Sequence, residues 1–282
     1  MPTILVPTDF SVPATHAANL AAAIAKKSGA AILLFHAIEP VTEKIRQPFA
    51  LLDKLSAEMK SAAEKNMEHF SLGLQLRFPG VTVHTALEEG NPVQAVLEAA
   101  AQYQPELIVM GTKGASSLQE IIIGSVAAGI IGKSACPVLI IPDEALHISI
   151  EEILITTNQF EKAPALLQPL INLARLFNAT VDVAVFLDTD TAGANDYLTG
   201  SRQIEQYTHY LQKTFEGIRF KGQVLDGKAF ETTISQYCST HKIDCICMFT
   251  YPKSIWEKLL QKSATRKMAY HTHIPLLAIP VK

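Results

Sequence analysis

Nowhere in this 282-residue chain does an apolar run approach the roughly 18 residues that a membrane-spanning helix needs, although 48% of the residues are hydrophobic. A membrane is therefore not an expected partner. Basic charge is equally short: 24 lysines and arginines face 27 aspartates and glutamates, a formal net charge of −3. Without a positive excess, nucleic acid is not expected as a partner either. Cysteine is confined to Cys136, Cys238, Cys245 and Cys247, whose spacing matches neither a zinc site nor a disulfide framework. Cys245 and Cys247 lie two apart on an apparent strand and so share one face; buried, reduced thiols are the expected state. His271-x-His273 has no convincing third ligand, and no metal site is expected there. Ile4-Leu5-Val6 enters a strand almost at once, which leaves no room for a secretory leader. The expected location is cytoplasmic.

What remains is a globular composition. Charged residues make up 18% of the chain, which suits a sizeable core, and the length fits one large domain or two of about 140 residues. Short β-rich runs alternate with helical ones. Ile4–Val6 is the first strand, and Ser11 is placed to cap an alanine-rich helix, Ala14–Lys27, with Pro13 in its first turn and Ser28-Gly29 closing it. A buried strand follows at Ala31–His36, then a loop over 40–50, a charged helix at Leu51–Phe70 and a strand at Val81–Thr85. Asn91 caps a helix at Pro92–Gln102, Leu107–Met110 is the fourth strand, and a helix at Val126–Ser134 leads to the fifth, Val138–Ile141. This alternation predicts parallel strands, right-handed crossovers and helices on both faces, a doubly wound α/β sheet. Ligands bind such sheets beyond the carboxyl ends of the strands, where strand order reverses.

The pattern then begins again. Ile153–Asn158 parallels Ile4–Asp9, Leu166–Phe177 the first helix, Thr180–Phe186 the second strand, and Ile274–Pro280 parallels Cys136–Pro142. Val224–Gly227 likewise parallels Leu87–Gly90. The boundary is expected in the polar link Asp143–Ser149, which gives domains at 1–145 and 150–282.

One stretch carries chemistry. The fourth strand runs straight into Gly111 and Gly114, and Gly124-Ser125 then opens a helix. Glycine directly after a strand lets backbone approach a ligand without a Cβ in the way, and a helix start offers N–H groups and a positive dipole end to an anion. The same residues also serve as ordinary turn and cap chemistry. Their spacing is G-x2-G-x9-G-S/T. In this, in Asp9 at the end of the first strand, and in Cys136–Pro142, the chain resembles the universal stress protein family. The resemblance covers residues 1–142 well and 150–282 in weakened form.

The resemblance implies two tandem Rossmann-like domains of strand order 3-2-1-4-5, with Asp9 and Gly111 meeting where that order reverses. It implies a site for ATP, or for ADP or AMP, with Mg2+ possible beside the phosphates. Asp9 would accept hydrogen bonds from the adenine amino group or a ribose hydroxyl, with capping of the next helix as its other role. Pro7 and Thr8 shape the same strand end, Ala37 flanks the base, and Met110 lines the cleft. Gly111, Lys113 and Gly114 would face the phosphates, joined by the helix-start N–H groups of Gly124, Ser125, Val126 and Ala127. A solvated loop lysine remains the alternative for Lys113.

The second repeat departs from this pattern. Gly111 aligns with Phe249, Gly114 with Pro252, Gly124 with Lys262 and Asp9 with Asn158, and only Ser125 finds its match, in Ser263. Phe249 would fill a phosphate loop and Pro252 removes a donor, so one nucleotide site per chain is expected, in the first repeat. Trp256 is read as a core or inter-domain anchor. No Walker G-x4-G-K-S/T sequence or recognisable water-orienting set is present. The expectation is therefore a non-catalytic, nucleotide-dependent regulator in the stress response. The rivals are a slow ATPase or autophosphorylating enzyme using Lys113, Ser116 and Ser117, and an interaction module without ligand. The resemblance also implies pairing along the last strand, here between Val138–Pro142 and Leu276–Pro280 as an intrachain pseudo-dimer, with a homodimer of whole chains open as well.

Overall fold

Alanine decides how closely the first helix lies on its sheet. In α1 (Val12–Ser28), Ala14, Ala17, Ala18, Ala21, Ala22 and Ala25 are buried, and side chains this short let the helix axis approach β1 (Thr3–Pro7) and β4 (Leu107–Gly111). The computed structural model describes residues 2–40, 49–112, 124–142, 149–251 and 274–281. Within them the chain divides into two compact units, Met1–Cys136 and Pro137–Lys282.

The first unit adds β2 (Ala31–Ile38), α2 (Phe49–Arg77), β3 (Val83–Glu89), α3 (Pro92–Tyr103) and α4 (Ser125–Ile131). Its strands lie in the order β3-β2-β1-β4, with β1 parallel to both β2 and β4. The direction of winding therefore reverses between β1 and β4. Helix α1 touches α2, and α3 touches α4, as right-handed crossovers on opposite faces require. Leu5, Ile32, Leu34, Phe35 and Ile108 are fully buried between these layers, each stabilising the fold by about 1.5–3 kcal/mol.

The second unit contains β5 (Val138–Ile141), β6 (Glu152–Thr156), α5 (Pro164–Phe177), β7 (Thr180–Asp188), α6 (Ala194–Thr214), β8 (Arg219–Gly227), α7 (Phe230–His241), β9 (Cys245–Thr250) and β10 (Leu276–Pro280). Its order is β5-β10-β9-β6-β7-β8. All neighbours are parallel except β5 and β10, which run antiparallel through Ile140↔Leu276, Leu139↔Leu277 and Val138↔Ala278. The fifth strand of the first repeat thus groups with the second unit because β10 supplies its ladder. The fold is the doubly wound α/β architecture expected from the alternation, and the winding reverses again between β6 and β9.

Local signals account for several helix ends in the first unit. Ser11 accepts the Ala14 N–H at the start of α1, and Asn91 accepts those of Val93 and Gln94 at the start of α3, each cap contributing about 1 kcal/mol. Gly29 ends α1 at φ +74, a conformation in which a Cβ would be strained. Three elements depart most from their expected bounds. Helix α2 runs on to Arg77, past the expected Phe70, and β3 spans Val83–Glu89 rather than Val81–Thr85. Strand β3 is half-exposed and follows the seven-residue register of β2, from Ile32↔Val83 to Ile38↔Glu89. Helix α4 stops at Ile131 instead of Ser134, where the Ser134 hydroxyl donates to the Cys136 carbonyl and accepts the Cys136 N–H. Cys238, Cys245 and Cys247 are buried whereas Cys136 is partly open; burial pushes the Cys238 and Cys245 thiols up to about 12, which keeps them protonated and unreactive.

Candidate functional site

The β1–β2 ladder reaches Pro7↔Phe35 and continues through a hydrogen bond from the Thr8 N–H to the Phe35 carbonyl, 2.8 Å. Carried on at this register, Asp9 comes level with Ala37. The β1–β4 register, Leu5↔Ile108, carried on in the same way, brings Thr8 level with Gly111. Asp9, Ala37 and Gly111 thus follow or end three neighbouring strands at their carboxyl ends, where the winding reverses.

The turn leaving β1 is tied at every residue. Thr8 Oγ1 accepts the Phe10 N–H at 3.0 Å, and Asp9 Oδ1 accepts both the Ser11 N–H at 3.1 Å and the Ser11 hydroxyl at 2.5 Å. Ser11 in turn caps α1, so Asp9 acts on the helix start through Ser11. Phe10 adopts a left-handed φ of +65, which costs a non-glycine residue roughly 1 kcal/mol. Its ring sits 4.6 Å from the His36 imidazole and 6.0 Å from Phe70 of α2, and His36 Nδ1 lies 2.7 Å from the Thr8 carbonyl. Sequence reasoning missed Phe10, His36 and Phe70; the only hint was a lone histidine at the end of a buried apolar strand.

On the other side of the cleft, β4 ends at Gly111. A Cβ there would meet the Pro13 backbone and ring at 3.0–3.1 Å, so the missing side chain makes room for α1. Thr112 follows, buried, and its carbonyl accepts the Gly124 N–H at 2.5 Å. This bond ties the end of β4 to the start of α4. Gly124 precedes α4 with extended backbone and no side-chain cap, and the first intrahelical bond runs from the Ala128 N–H to the Gly124 carbonyl. The N–H groups of Ser125, Val126 and Ala127 thus belong to the open first turn.

The expected site residues separate by exposure. Asp9, Ala37, Gly111, Gly124 and Val126 are half-exposed and Ser125 is exposed. Pro7, Thr8, Met110 and Ala127 are buried; at 5% exposure the Met110 side chain belongs to the core and offers the cleft its backbone. Lys113, Gly114, Ser116 and Ser117 lie outside the described residues, as do Pro252, Trp256, Lys262, Ser263, His271 and His273.

The turn after β6 in the second unit is tied by a different set of side chains. Thr157 repeats the role of Thr8, its N–H reaching the Ala184 carbonyl at 3.0 Å and its hydroxyl accepting the Phe160 N–H at 3.0 Å. The half-buried cleft residue of the first repeat becomes exposed Asn158. Beside it Glu161 is buried: its carboxylate accepts the Thr157 hydroxyl at 2.6 Å and the Tyr251 hydroxyl, while its backbone carbonyl accepts the Tyr207 hydroxyl at 2.7 Å. Burial pushes the Glu161 carboxyl up, against the opposing effect of the Thr157 hydrogen bond. Phe160, at φ +52, stacks edge-on against Tyr207, and Phe249 is buried on β9. No sequence signal had singled out Glu161.

A doubly wound α/β unit whose winding reverses between β1 and β4, where β4 ends in glycine and a helix starts at a second glycine, defines the class of protein. The model of the universal stress protein family matches residues 1–142, and the chain belongs to that family. A universal stress protein encoded 3′ of a QAH/OAS sulfhydrylase in Thermus aquaticus is 34% identical over 49% of this chain and 97% of its own length. Universal stress protein MJ0531 of Methanocaldococcus jannaschii is 32% identical over 49% of this chain and 80% of its own. Each relative thus matches about half of this chain. A universal stress protein from Archaeoglobus fulgidus has a similar fold over 99% of this chain and 96% of its own, with a TM-score of 0.73 at 18% identity. Among the described residues no helix is long and apolar enough to cross a membrane.

Proposed function

We propose that the chain is an adenine-nucleotide-binding universal stress protein, with one site, in the first repeat, and that it acts in the stress response as a nucleotide-dependent regulator rather than a catalyst. The observation that carries this reading is the hydrogen bond that ties the end of β4 to the start of α4, between Thr112 and Gly124, on the strand next to the one that leads into Asp9. Asp9 has a carboxylate suited to an adenine amino group or a ribose hydroxyl, and Ala37 offers a small flank to the base. The α4 start, with the Ser125 hydroxyl exposed beside it, suits phosphate oxygens, and ATP, ADP and AMP share the groups these residues would bind. Lys113 and Gly114 complete the phosphate side. In the second repeat, Phe249 stands in place of Gly111 and a buried Glu161 carboxylate lies beside the turn after β6, which supports one site per chain, with domains at 1–145 and 150–282 and a regulatory or structural second half. The antiparallel β5–β10 ladder supports the intrachain pseudo-dimer.

Isothermal titration with ATP tests the reading. The expected result is one site per chain, lost in the double variant Gly114→Val, Gly124→Val with its melting temperature unchanged. Absent binding to the parent protein, or undiminished binding to the variant, overturns it.

A further inference from the structure

At the end of β1 the ladder gives out while one more carbonyl, that of Thr8, still points to the neighbouring strand. His36 of β2 takes it: Nδ1 lies 2.7 Å away. A carbonyl oxygen only accepts, so Nδ1 carries the hydrogen and the imidazole is fixed as the Nδ1–H tautomer. The ring is held from a second side by Phe10, 4.6 Å between centroids at 39°, and Phe10 is itself backed by Phe70 of α2. The N–H of Phe10 closes the circuit by donating to Thr8 Oγ1. Thr8 and Phe10, the residues on either side of Asp9, are therefore both anchored, one by the imidazole edge and the other by its face. The left-handed φ of Phe10 is the backbone consequence of seating its ring there, and it turns the chain so that Asp9 Oδ1 meets Ser11.

We propose that His36 is a positioning residue for the adenine end of the site: through the Thr8 carbonyl and the Phe10 ring it fixes the direction of the Asp9 carboxylate. The proposal rests on the nucleotide reading above. His36 acts without touching the ligand, by holding both neighbours of the residue that does. In the second unit the same turn is held differently, by the Tyr207 hydroxyl on the Glu161 carbonyl and the Phe160–Tyr207 stack. The clamp is thus specific to the repeat that carries Asp9.

Two measurements on the full chain test it. The first is a long-range 1H–15N spectrum of the imidazoles in ligand-free protein, the His36 signals being assigned by their loss in His36→Asn; the Nδ1–H tautomer is expected. The second is ATP titration of two variants. Asparagine can present its amide N–H where Nδ1 stands, so His36→Asn keeps ATP affinity within about threefold, whereas His36→Leu lowers it about tenfold or more, the loss expected for one anchoring hydrogen bond. Equal affinities in the two variants, or an Nε2–H tautomer in a parent protein that binds ATP, overturn the positioning role alone. A parent protein with the Nδ1–H tautomer that fails to bind ATP overturns the nucleotide reading and the positioning role with it. Because the tautomer is read on the parent protein, a leucine variant that does not fold still leaves a decisive result.

Discussion

Gly111 stands in the glycine-spaced motif, yet its lack of a side chain answers first to Pro13. A methyl group at that position would press on the α1 backbone at 3.0–3.1 Å, and backbone cannot swing aside as a long side chain does. Gly111→Ala is therefore expected to lower stability by about 1–3 kcal/mol, read as a shift of the urea midpoint with unchanged slope; an unchanged midpoint would show that α1 gives way freely. Glu161 supplies the second residue-scale expectation. Its carboxyl is raised in the folded protein by burial, with the Thr157 hydrogen bond opposing, so the charged form is the disfavoured one. The stability from this group is fully present below its ordinary value of 4.5 and is lost as pH rises through the raised one. Glu161→Gln removes that loss, and its stability relative to the parent should climb across the same interval in chemical denaturation curves. A parallel pH dependence in both proteins would assign the effect to other groups.

Among the elements, helix ends offer the cleanest tests. Asn91 caps α3 with two hydrogen bonds, and Asn91→Ala should cost about 1 kcal/mol in thermal unfolding. At the opposite ends, α3 and α7 close on Gln104 and Lys242, both in the left-handed region. Glycine there relieves the Cβ, so Gln104→Gly and Lys242→Gly should each raise stability by about 0.5–1 kcal/mol; a loss at both positions would contradict the strain argument. The same contrast explains what could be read from sequence. Ser11, Asn91 and Gly29 announce their helix ends through side-chain chemistry, and Leu107–Met110 announces a buried strand by apolar composition. Gln104 and Lys242 announce nothing, because tertiary packing imposes their conformation. Strand β3 borrows its limits from β2, and the exposed length of α2 carries little apolar periodicity. In the candidate site, Asp9 and the glycines were singled out by their position and spacing. The His36–Phe10 pair, 26 residues apart in sequence, exists only once β1 and β2 lie side by side.

At the scale of the whole molecule, β5 finds its ladder partner in β10, more than a hundred residues later. A fragment ending at Pro142 would carry β5 with that edge unpaired, and open edges of this kind recruit other strands. The fragment is expected to run at twice its own mass in light scattering, whereas the full chain, with the edge satisfied internally, has no such need to pair. A strictly monomeric fragment would show that β5 is not the adhesive element.

The single bond between the Thr112 carbonyl and the Gly124 amide acts as a clasp. It ties the end of β4 directly to the start of α4. Closing a longer detour costs only about 0.6 kcal/mol for each doubling of its length. Lengthening the chain between residues 113 and 123 by a few residues should therefore lower the melting temperature only slightly.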